Sequence, residues 1–432
     1  TAQATGNAQV IVSDNLQAKG HVSKPQGEFW AKHVNGSYDI KEAASAAHVY
    51  GRRIASAEAF TDAKYSQSPD YLKRLADLAY SFGVNEFVVC ASAYQPWTDK
   101  IPGNTAGGRQ YCLNRNNTYW RLMRPFWDYQ ARSAAMMRQG KAVADLCIYA
   151  GDDTPMKILA YNIPEIPEGY DYDVCTTEGL TKRMTGHDGK ITLPDGMTYS
   201  MLVINKNSKI PYKALRKIAQ MVNAGVSLYG NKPNGSPSLA DKEHQEEYSR
   251  LVDSIWSVGK YGKGNVYAEV SLSEALIREG IRPDLGFRSE NKPSDKLYFA
   301  HRQTDEEDIY FIYNHSPKEY VSNVILRTGK RYAGLWSPVT GKQSFIHYAS
   351  VDNGISINLQ LRPHESCFII ASDDKHVSMK EHDHTATDTM TVTGKWTIEF
   401  SPLLGGCGTI TTDTLFDWKQ NNDPRIRYYS GE

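Results

Sequence analysis

The sequence lacks several features that assign a chain to a common class. Its 432 residues carry 49 Lys plus Arg against 49 Asp plus Glu, so no charge excess favours nucleic acid or a membrane surface. No apolar run approaches membrane-spanning length, and the first twenty residues lack the basic start and apolar core of a signal peptide. An uncharged partner is therefore favoured. Either a signal has been removed or the natural N-terminus lies upstream.

Common reactive motifs are also missing. There is no G-x-S-x-G and no P-loop, and the glycines of "PGNTAGGRQ" do not follow a strand, which argues against a phosphate cradle. His376, His382 and His384 lie in a polar segment that favours a solvated linker over a metal site. The cysteines have neither C-x-x-C nor zinc spacing and are predicted to be buried thiols. They are Cys90, Cys112, Cys147, Cys175, Cys367 and Cys407.

Aromatic residues are plentiful, at 11% of the chain with 27 Tyr and 8 Trp. Such rings either pack in the core or serve as stacking platforms for sugar rings. Glu28 in "KPQGEFWAKH" and Glu58 in "RRIASAEAFTD" are each flanked by aromatic residues. Acids beside aromatic rings favour a carbohydrate site, the alternative being surface or helix-capping glutamates.

Strand and helix patterns alternate over residues 1–158. "SPDYLKRLADLAYSFG" predicts a helix that starts at Ser68 and Pro69, and "VNEFVVCASA" predicts the strand after it. "KAVADLCIYAGDD" predicts another strand, which ends in Asp152 and Asp153. This alternation is typical of a parallel α/β sheet, and in a barrel the strand ends converge on one face. We therefore expect Asp152 to share a face with the two glutamates.

Three further regions follow. Residues 159–290 predict a small doubly wound α/β domain of flavodoxin type, and residues 291–373 predict an antiparallel β-sandwich of short strands. Residues 374–432 predict a linker and the start of another, galactose-binding-like β-sandwich, with "GKWTIEFSPLLGG" and "RIRYYSGE" as its first strands.

Several segments appear in the order in which they occur in one enzyme family. "PQGEFW", "KEAASAAHVYGRRIASAEAFT", "SAYQPW", "LNRNNTYW", "YQARSAAMMRQGKAVADLCIYAGDDTP", "GYDYD" and "LPDGMTYSMLVIN" resemble the α-L-rhamnosidases of glycoside hydrolase family 106. The resemblance implies a (β/α)8 barrel with accessory β-domains, and release of terminal α-L-rhamnose from plant-type glycans with inversion. It further implies a calcium ion beside the sugar and a periplasmic or secreted location.

The resemblance also assigns roles to residues. Glu28 matches the general base, and Glu58 matches a second active-site carboxylate and is the likeliest calcium ligand in this chain. The strand-end positions add predicted substrate-binding residues to this pair. They are Trp30, Tyr94, Trp97, Trp120 and Asp152, with Tyr149 nearby.

The chain departs from the family pattern at several points. The general acid should lie on an earlier strand, upstream of Thr1, so we expect half a barrel here and a longer natural protein. Cys90 and Tyr94 stand where family members tend to show His, and Asp152 and Asp153 stand in a "GDD" in place of Gly-Glu. Two alternatives stay open, a retaining β-galactosidase-like glycosidase, with carboxylates roughly 5–5.5 Å apart, and a non-catalytic carbohydrate-binding descendant.

Overall fold

The computed structural model describes most of the chain in nine stretches. They are residues 2–3, 14–31, 37–64, 66–105, 113–152, 163–204, 209–287, 297–374 and 390–430. The chain is mixed α/β with several sheets, as the sequence predicts. The predicted linker histidines and Asp153 lie outside the described residues.

The first unit alternates strands with helices and ends at residue 137. Its strands are β1 (Ala2–Gln3), β2 (Pro25–Trp30), β3 (Ser56–Thr61) and β4 (Glu86–Val89). Its helices are α1 (Asn15–Gly20), α2 (Ser37–Val49), α3 (Pro69–Ser81) and α4 (Arg124–Met137). The strands run parallel in the order β1-β2-β3-β4. Closure of this sheet into half a (β/α)8 barrel stays a prediction.

Helix α3 shows how local sequence sets these elements. Ser68 caps the first turn by accepting a hydrogen bond from the backbone N–H of Tyr71 at 3.2 Å, and Pro69 takes the first helical position. Leu72 is fully buried against the sheet. Gly83, just beyond the helix, has a φ of 96°, which a side chain would disfavour. The helix predicted for this segment is confirmed.

The second unit is built on another parallel sheet. After the short β5 (Lys141–Ala142), which pairs with the third unit, its strands are β6 (Leu146–Tyr149), β7 (Tyr172–Cys175), β8 (Thr185–His187), β9 (Lys190–Thr192), β10 (Thr198–Tyr199), β11 (Met201–Ile204), β12 (Ser227–Tyr229), β13 (Lys260–Tyr261) and β14 (Gly264–Tyr267). Strands β8 to β10 form a small antiparallel sheet of their own, and β13 pairs antiparallel with β14. Its helices are α5 (Thr177–Arg183), α6 (Tyr212–Asn223), α7 (Gln245–Trp256) and α8 (Leu272–Arg278). The parallel order β7-β6-β11-β12-β14 is the doubly wound order of flavodoxin-like domains.

The position of β6 corrects one sequence prediction. This strand, expected to share a sheet with Glu28 and Glu58, pairs instead with β11 and β7 in the second sheet. The second sheet therefore begins at Leu146, before the predicted boundary at residue 158. All residues of β6 are buried on both faces, so its apolar pattern fits either parallel sheet equally well.

The third unit consists of short antiparallel strands. They are β15 (Leu285–Phe287), β16 (Leu297–Gln303), β17 (Glu307–Asn314), β18 (Tyr320–Leu326), β19 (Tyr332–Trp336), β20 (Gln343–Ser344), β21 (Tyr348–Val351), β22 (Gly354–Leu361) and β23 (Ser366–Ser372). They form two sheets that share one apolar core, with Ile312 and Ile369 from one sheet and Val324 and Ile357 from the other. Strand β5 pairs with β16 and so belongs to this unit's sheet.

The last described unit is small. Strands β24 (Trp396–Phe400) and β25 (Gly408–Thr412) form an antiparallel pair, and α9 (Pro424–Arg427) follows. The prediction of a strand over "RIRYYSGE" is wrong at its start, because Asp423 caps a helical turn by accepting from the backbone N–H of Arg425 at 2.9 Å. Across the described residues, no helix has the length and apolar character needed to cross a membrane.

Ion pairs and hydrogen bonds connect the units. Arg327 of the third unit forms a two-pronged pair with Asp145 at 2.9 and 3.1 Å and donates to the carbonyl of Arg282. Burial raises the pKa of Asp145 to about 6, although Arg327 opposes this effect. Between the first and third units, the Lys73 ammonium donates to Ser366 Oγ at 3.1 Å.

His301 lies inside the third unit between two carboxylates. Its Nδ1 is 2.9 Å from Asp284 and its Nε2 is 3.3 Å from Asp308, while its ring stacks on Tyr310. Burial alone would lower the pKa of His301, but the carboxylates of Asp284 and Asp308 raise it to about 9. The imidazole is therefore protonated at neutral pH.

The charge on His301 predicts a loss of stability at alkaline pH. Its folded pKa exceeds the ordinary 6.5, so its contribution is complete below pH 6.5 and is lost as the pH rises through 9. Deprotonation of His301 over this pH range should lower the free energy of unfolding by about 3 kcal/mol, measured by urea denaturation at each pH. His301→Gln should lack this slope, whereas the exposed His187→Gln should retain it. Parallel curves for wild type and His301→Gln would contradict the assignment.

Candidate active site

Two carboxylates lie side by side on the first sheet. Glu28 of β2 and Glu58 of β3 are register partners in a parallel pairing. Register partners on neighbouring strands point to the same face, with backbones about 4.8 Å apart. Glu28 is 8% exposed, and Glu58 is partly buried. The structure therefore brings together the two residues predicted to be catalytic.

Aromatic packing closes the opposite face of this sheet. Phe29 lies 5.3 Å from Phe60 and 5.5 Å from Phe87, ring centroid to ring centroid. Because successive residues of a strand alternate between faces, burial of Phe29 directs Glu28 to the other face. On that face Val88, the register partner of Glu58, is half exposed. The two carboxylates thus border an open surface.

The backbone after Glu58 has an unusual conformation. Phe60 and Asp62 have φ values of 65° and 60°, in the left-handed region that non-glycine residues rarely adopt. Glu58 and Phe60 are two residues apart and would share a face in a regular strand. The turn at Phe60 places its ring in the core and leaves Glu58 on the open face. Such strained positions cluster at functional sites.

The end of β2 is tied to its surroundings at Ala31. The backbone N–H of Ala31 donates to the carbonyl of Thr61 at 2.8 Å, which continues the pairing past a register shift. The Ala31 carbonyl accepts from Gln67 Nε2 at 3.1 Å and from the Tyr71 hydroxyl at 2.6 Å. The strand ends that carry the glutamates are therefore fixed by hydrogen bonds.

Two neighbouring side chains face Glu58. The Thr61 hydroxyl donates to Glu58 Oε1 at 3.4 Å. Burial and the Glu58 carboxylate beside it together raise the pKa of the Cys90 thiol to about 11. Cys90 is therefore a neutral thiol at physiological pH, which agrees with its prediction as a structural residue. A strand-end cysteine gave no sequence signal that it would contact Glu58.

A buried ionic cluster lies behind Glu28. Asp39 Oδ2 accepts the backbone N–H of Glu28 at 2.7 Å, and Asp39 Oδ1 accepts from Lys19 Nζ at 2.5 Å. Lys19 also donates to Glu42 at 3.0 Å. Burial raises the pKa of Asp39 to about 6, although Lys19 opposes it. Sequence analysis missed this cluster, because its members are spread over two helices and follow no motif.

Of the predicted substrate-binding aromatics, Trp30 lies at a strand end, Tyr94 and Trp97 lie in the segment after β4, and Trp120 lies in a helical turn instead of at a strand end. Trp30 ends β2, and its indole N–H is buried without a hydrogen-bond partner among the described residues. Tyr94 and Trp97 follow β4 and are 79% and 44% exposed, and Trp120, before α4, is 38% exposed. Exposed rings of this kind offer stacking surfaces for sugars. Their role in binding stays a prediction.

The segment that carries Tyr94 and Trp97 is held by polar contacts. Gln95 Oε1 accepts from the backbone N–H of Asn104 at 2.9 Å. Arg115 donates to the carbonyls of Gln95 and Trp97, at 2.7 Å in each case. The exposed rings are therefore presented by an ordered backbone.

Asp152 belongs to a different sheet from the glutamate pair. It follows β6 at the carboxyl end of the second sheet, so the expectation that its strand joins the sheet of Glu28 is wrong. A contact of Asp152 with the sugar stays a prediction.

The oxygen atoms around the glutamate pair are of the type that a hard cation prefers, but they are too few for a complete coordination shell. Calcium takes six to eight oxygen ligands, and Glu28, Glu58 and the Thr61 hydroxyl are all oxygen donors. No group of three or more His, Cys, Asp or Glu side chains among the described residues is arranged to hold a metal ion. The glutamate pair therefore fits part of a calcium shell.

A parallel α/β sheet that presents paired carboxylates near exposed aromatic rings is an arrangement that glycoside hydrolases use. The family model for glycoside hydrolase family 106, described as alpha-L-rhamnosidase, matches residues 2–350. The chain belongs to this family, and the resemblance read from the sequence is confirmed.

Two individual proteins are similar to this chain, and their names give different activities. A protein of Formosa agariphila named "Putative beta-glucuronidase" is 33% identical over 369 residues, which cover 83% of this chain and 30% of that protein. The solved rhamnosidase from Novosphingobium sp. PP1Y superposes with a TM-score of 0.87 at 26% identity, over 97% of this chain and 41% of that one.

A more distant structure shows the fold alone. The beta-galactosidase from Bacillus circulans sp. alkalophilus matches with a TM-score of 0.51 at 8% identity, over 83% of this chain and 62% of that one. The chain spans less than two thirds of each of these proteins.

The neutral state of Cys90 predicts low reactivity. Because the thiolate is the nucleophile, a pKa near 11 leaves little reactive Cys90 at pH 8. We expect iodoacetamide to label Cys90 much more slowly than Cys407, which is less buried, in a peptide-resolved mass-spectrometric time course. Glu58→Gln should accelerate labelling of Cys90 and leave Cys407 unchanged. Equal rates at the two cysteines would contradict the assignment.

Proposed function

We propose that this chain carries part of the active site of an inverting α-L-rhamnosidase that releases terminal α-L-rhamnose from plant-type glycans. The observation that carries the proposal is the side-by-side placement of Glu28 and Glu58 on an open sheet face in a member of family 106. Inversion needs a base that activates water on one side of the sugar and an acid that protonates the leaving oxygen on the other.

Glu28 acts as the general base. Its carboxylate accepts a proton from water as the water oxygen attacks the anomeric carbon. Low exposure removes competing bulk water from this carboxylate, and the fixed strand end keeps its position constant. The acid belongs, by resemblance, to an earlier barrel strand, so none of the described residues is assigned to that role.

Glu58 orients the substrate from the neighbouring strand. Its carboxylate accepts hydrogen bonds from sugar hydroxyls, and Thr61 and Cys90 restrict its side chain. Glu58 would hold a calcium ion, which when bound would supply a positive charge that orients the vicinal cis hydroxyls of rhamnose. The other oxygen ligands would come from outside the glutamate pair.

The exposed rings extend the site away from the glutamates. Tyr94, Trp97 and Trp120 suit the faces of further sugar rings in the leaving group. Ordering of their segment by Gln95 and Arg115 lowers the entropy lost on binding, because the rings are already positioned.

Glu28→Gln tests the base. Since glutamine cannot accept a proton from water, we expect kcat on an aryl α-L-rhamnoside to fall by about 10²–10⁴-fold in the whole natural protein. KM and the thermal midpoint should change little, because glutamine keeps the size of the side chain. A variant with more than about a tenth of wild-type turnover would sink the assignment.

The same assay separates competing activities. Proton NMR of the first product anomer distinguishes inversion from the retaining alternative. An aryl β-glucuronide in parallel tests the activity named for the Formosa agariphila relative. Turnover of the glucuronide alone would overturn the rhamnosidase proposal, and binding of rhamnosides without turnover by the whole protein would favour the carbohydrate-binding alternative.

Calcium dependence gives a second test. We expect a chelator to abolish rhamnoside hydrolysis by the whole protein and added calcium to restore it. Isothermal calorimetry should show calcium binding that Glu58→Gln weakens at least about tenfold, because an oxygen ligand loses its charge. Glu165→Gln, at an exposed acid outside the site, is the control. Hydrolysis that survives chelation would refute the metal-assisted mechanism.

A further inference from the structure

Asp39 is the central residue of the ionic cluster behind Glu28. It is fully buried, and its two carboxylate oxygens have different partners. Oδ1 meets the ammonium of Lys19, and Oδ2 meets the backbone N–H of Glu28. One buried side chain thus joins a charge on α1 to the strand that carries the proposed base.

Burying these charged side chains carries a large desolvation free energy. Lys19, Asp39 and Glu42 are each at most 1% exposed at the side chain. Buried ion pairs often contribute little to stability compared with well-packed apolar residues, because desolvation offsets the attraction. Apolar packing between α1 and α2 would meet a purely structural need. The hydrogen bond from the Glu28 N–H to Asp39 also connects the charged cluster to the strand that carries the proposed base.

The local backbone is shaped around this contact. A Cβ atom at Gly27 would lie 2.5 Å from the carbonyl oxygen of Asp39. The first turn of α2 therefore approaches β2 as closely as the absence of a side chain allows. This approach brings the Asp39 carboxylate within reach of the Glu28 N–H, whose neighbours Phe29 and Ala31 are fixed by packing and hydrogen bonds.

We propose that Asp39, held by Lys19, is a positioning residue for Glu28. The inference rests on the proposed function, since it gives Asp39 a role in catalysis through the general base. Asp39 fixes the peptide of Glu28, and the carboxylate of Glu28 keeps its distance to the attacking water. A shift of about 1 Å at a catalytic group is enough to cost about 10²-fold in rate.

Asp77 provides a matched control. It is also fully buried and pairs with a lysine, Lys73, at 2.6 Å. It accepts from Ser366 and Tyr129, and it lies on α3, where no described contact joins it to Glu28. Asp77→Ala therefore removes a comparable buried charge without touching the proposed base.

The experiment compares three variants of the whole natural protein at matched fractions folded, with a fourth in reserve. Asp39→Ala should lower kcat by about 10–100-fold with KM nearly unchanged, because only the geometry of the base is altered. Asp77→Ala should leave kcat near wild type. Asp39→Asn keeps an acceptor for the Glu28 N–H and leaves Lys19 paired with Glu42, and should recover most of kcat. If Asp39→Ala fails to fold, Gly27→Ala takes its place in the comparison, because the added methyl group would push α2 away from β2.

Amide hydrogen exchange gives a readout that does not need activity. Exchange at the Glu28 N–H should accelerate in Asp39→Ala, and should stay slow in Asp77→Ala and in Asp39→Asn. Unchanged exchange in Asp39→Ala, or a loss of kcat no greater than that of Asp77→Ala, would overturn the inference. Full turnover by Glu28→Gln would remove the proposed base itself, while the exchange data would still decide whether Asp39 fixes the strand.

Discussion

The edge-to-face contacts of Phe29 with Phe60 and Phe87 set the register of the first sheet. Because side chains alternate along a strand, a slip of one residue would expose these rings and bury the glutamates. The rings therefore determine where Glu28 and Glu58 point, although they do not face the site themselves. The arrangement of the paired carboxylates thus depends on apolar packing on the far side of the sheet.

Local features of the fold were readable from the sequence, and long-range ones were not. The start of α3 is encoded by Ser68 and Pro69, which act within one turn. By contrast, β6 is buried on both faces, and no pattern within it says which sheet it joins. The contacts of Asp39 could not be predicted either, because its partners Lys19 and Glu28 come from other elements.

The same distinction applies to the candidate site. Glu28 and Glu58 were found from acids beside aromatic residues and from the family pattern, which is carried by local sequence. That they are register neighbours follows from strand pairing, and the turn at Phe60 follows from competition between core packing and strand geometry. Asp152 was misplaced because a strand-end acid looks the same in any parallel sheet.

Arg327 has a mechanical consequence for the molecule. Rotation of the third unit away from the second would separate Arg327 from Asp145 and break both of their hydrogen bonds. The contact therefore opposes a hinge at this seam, and the second and third units should move together.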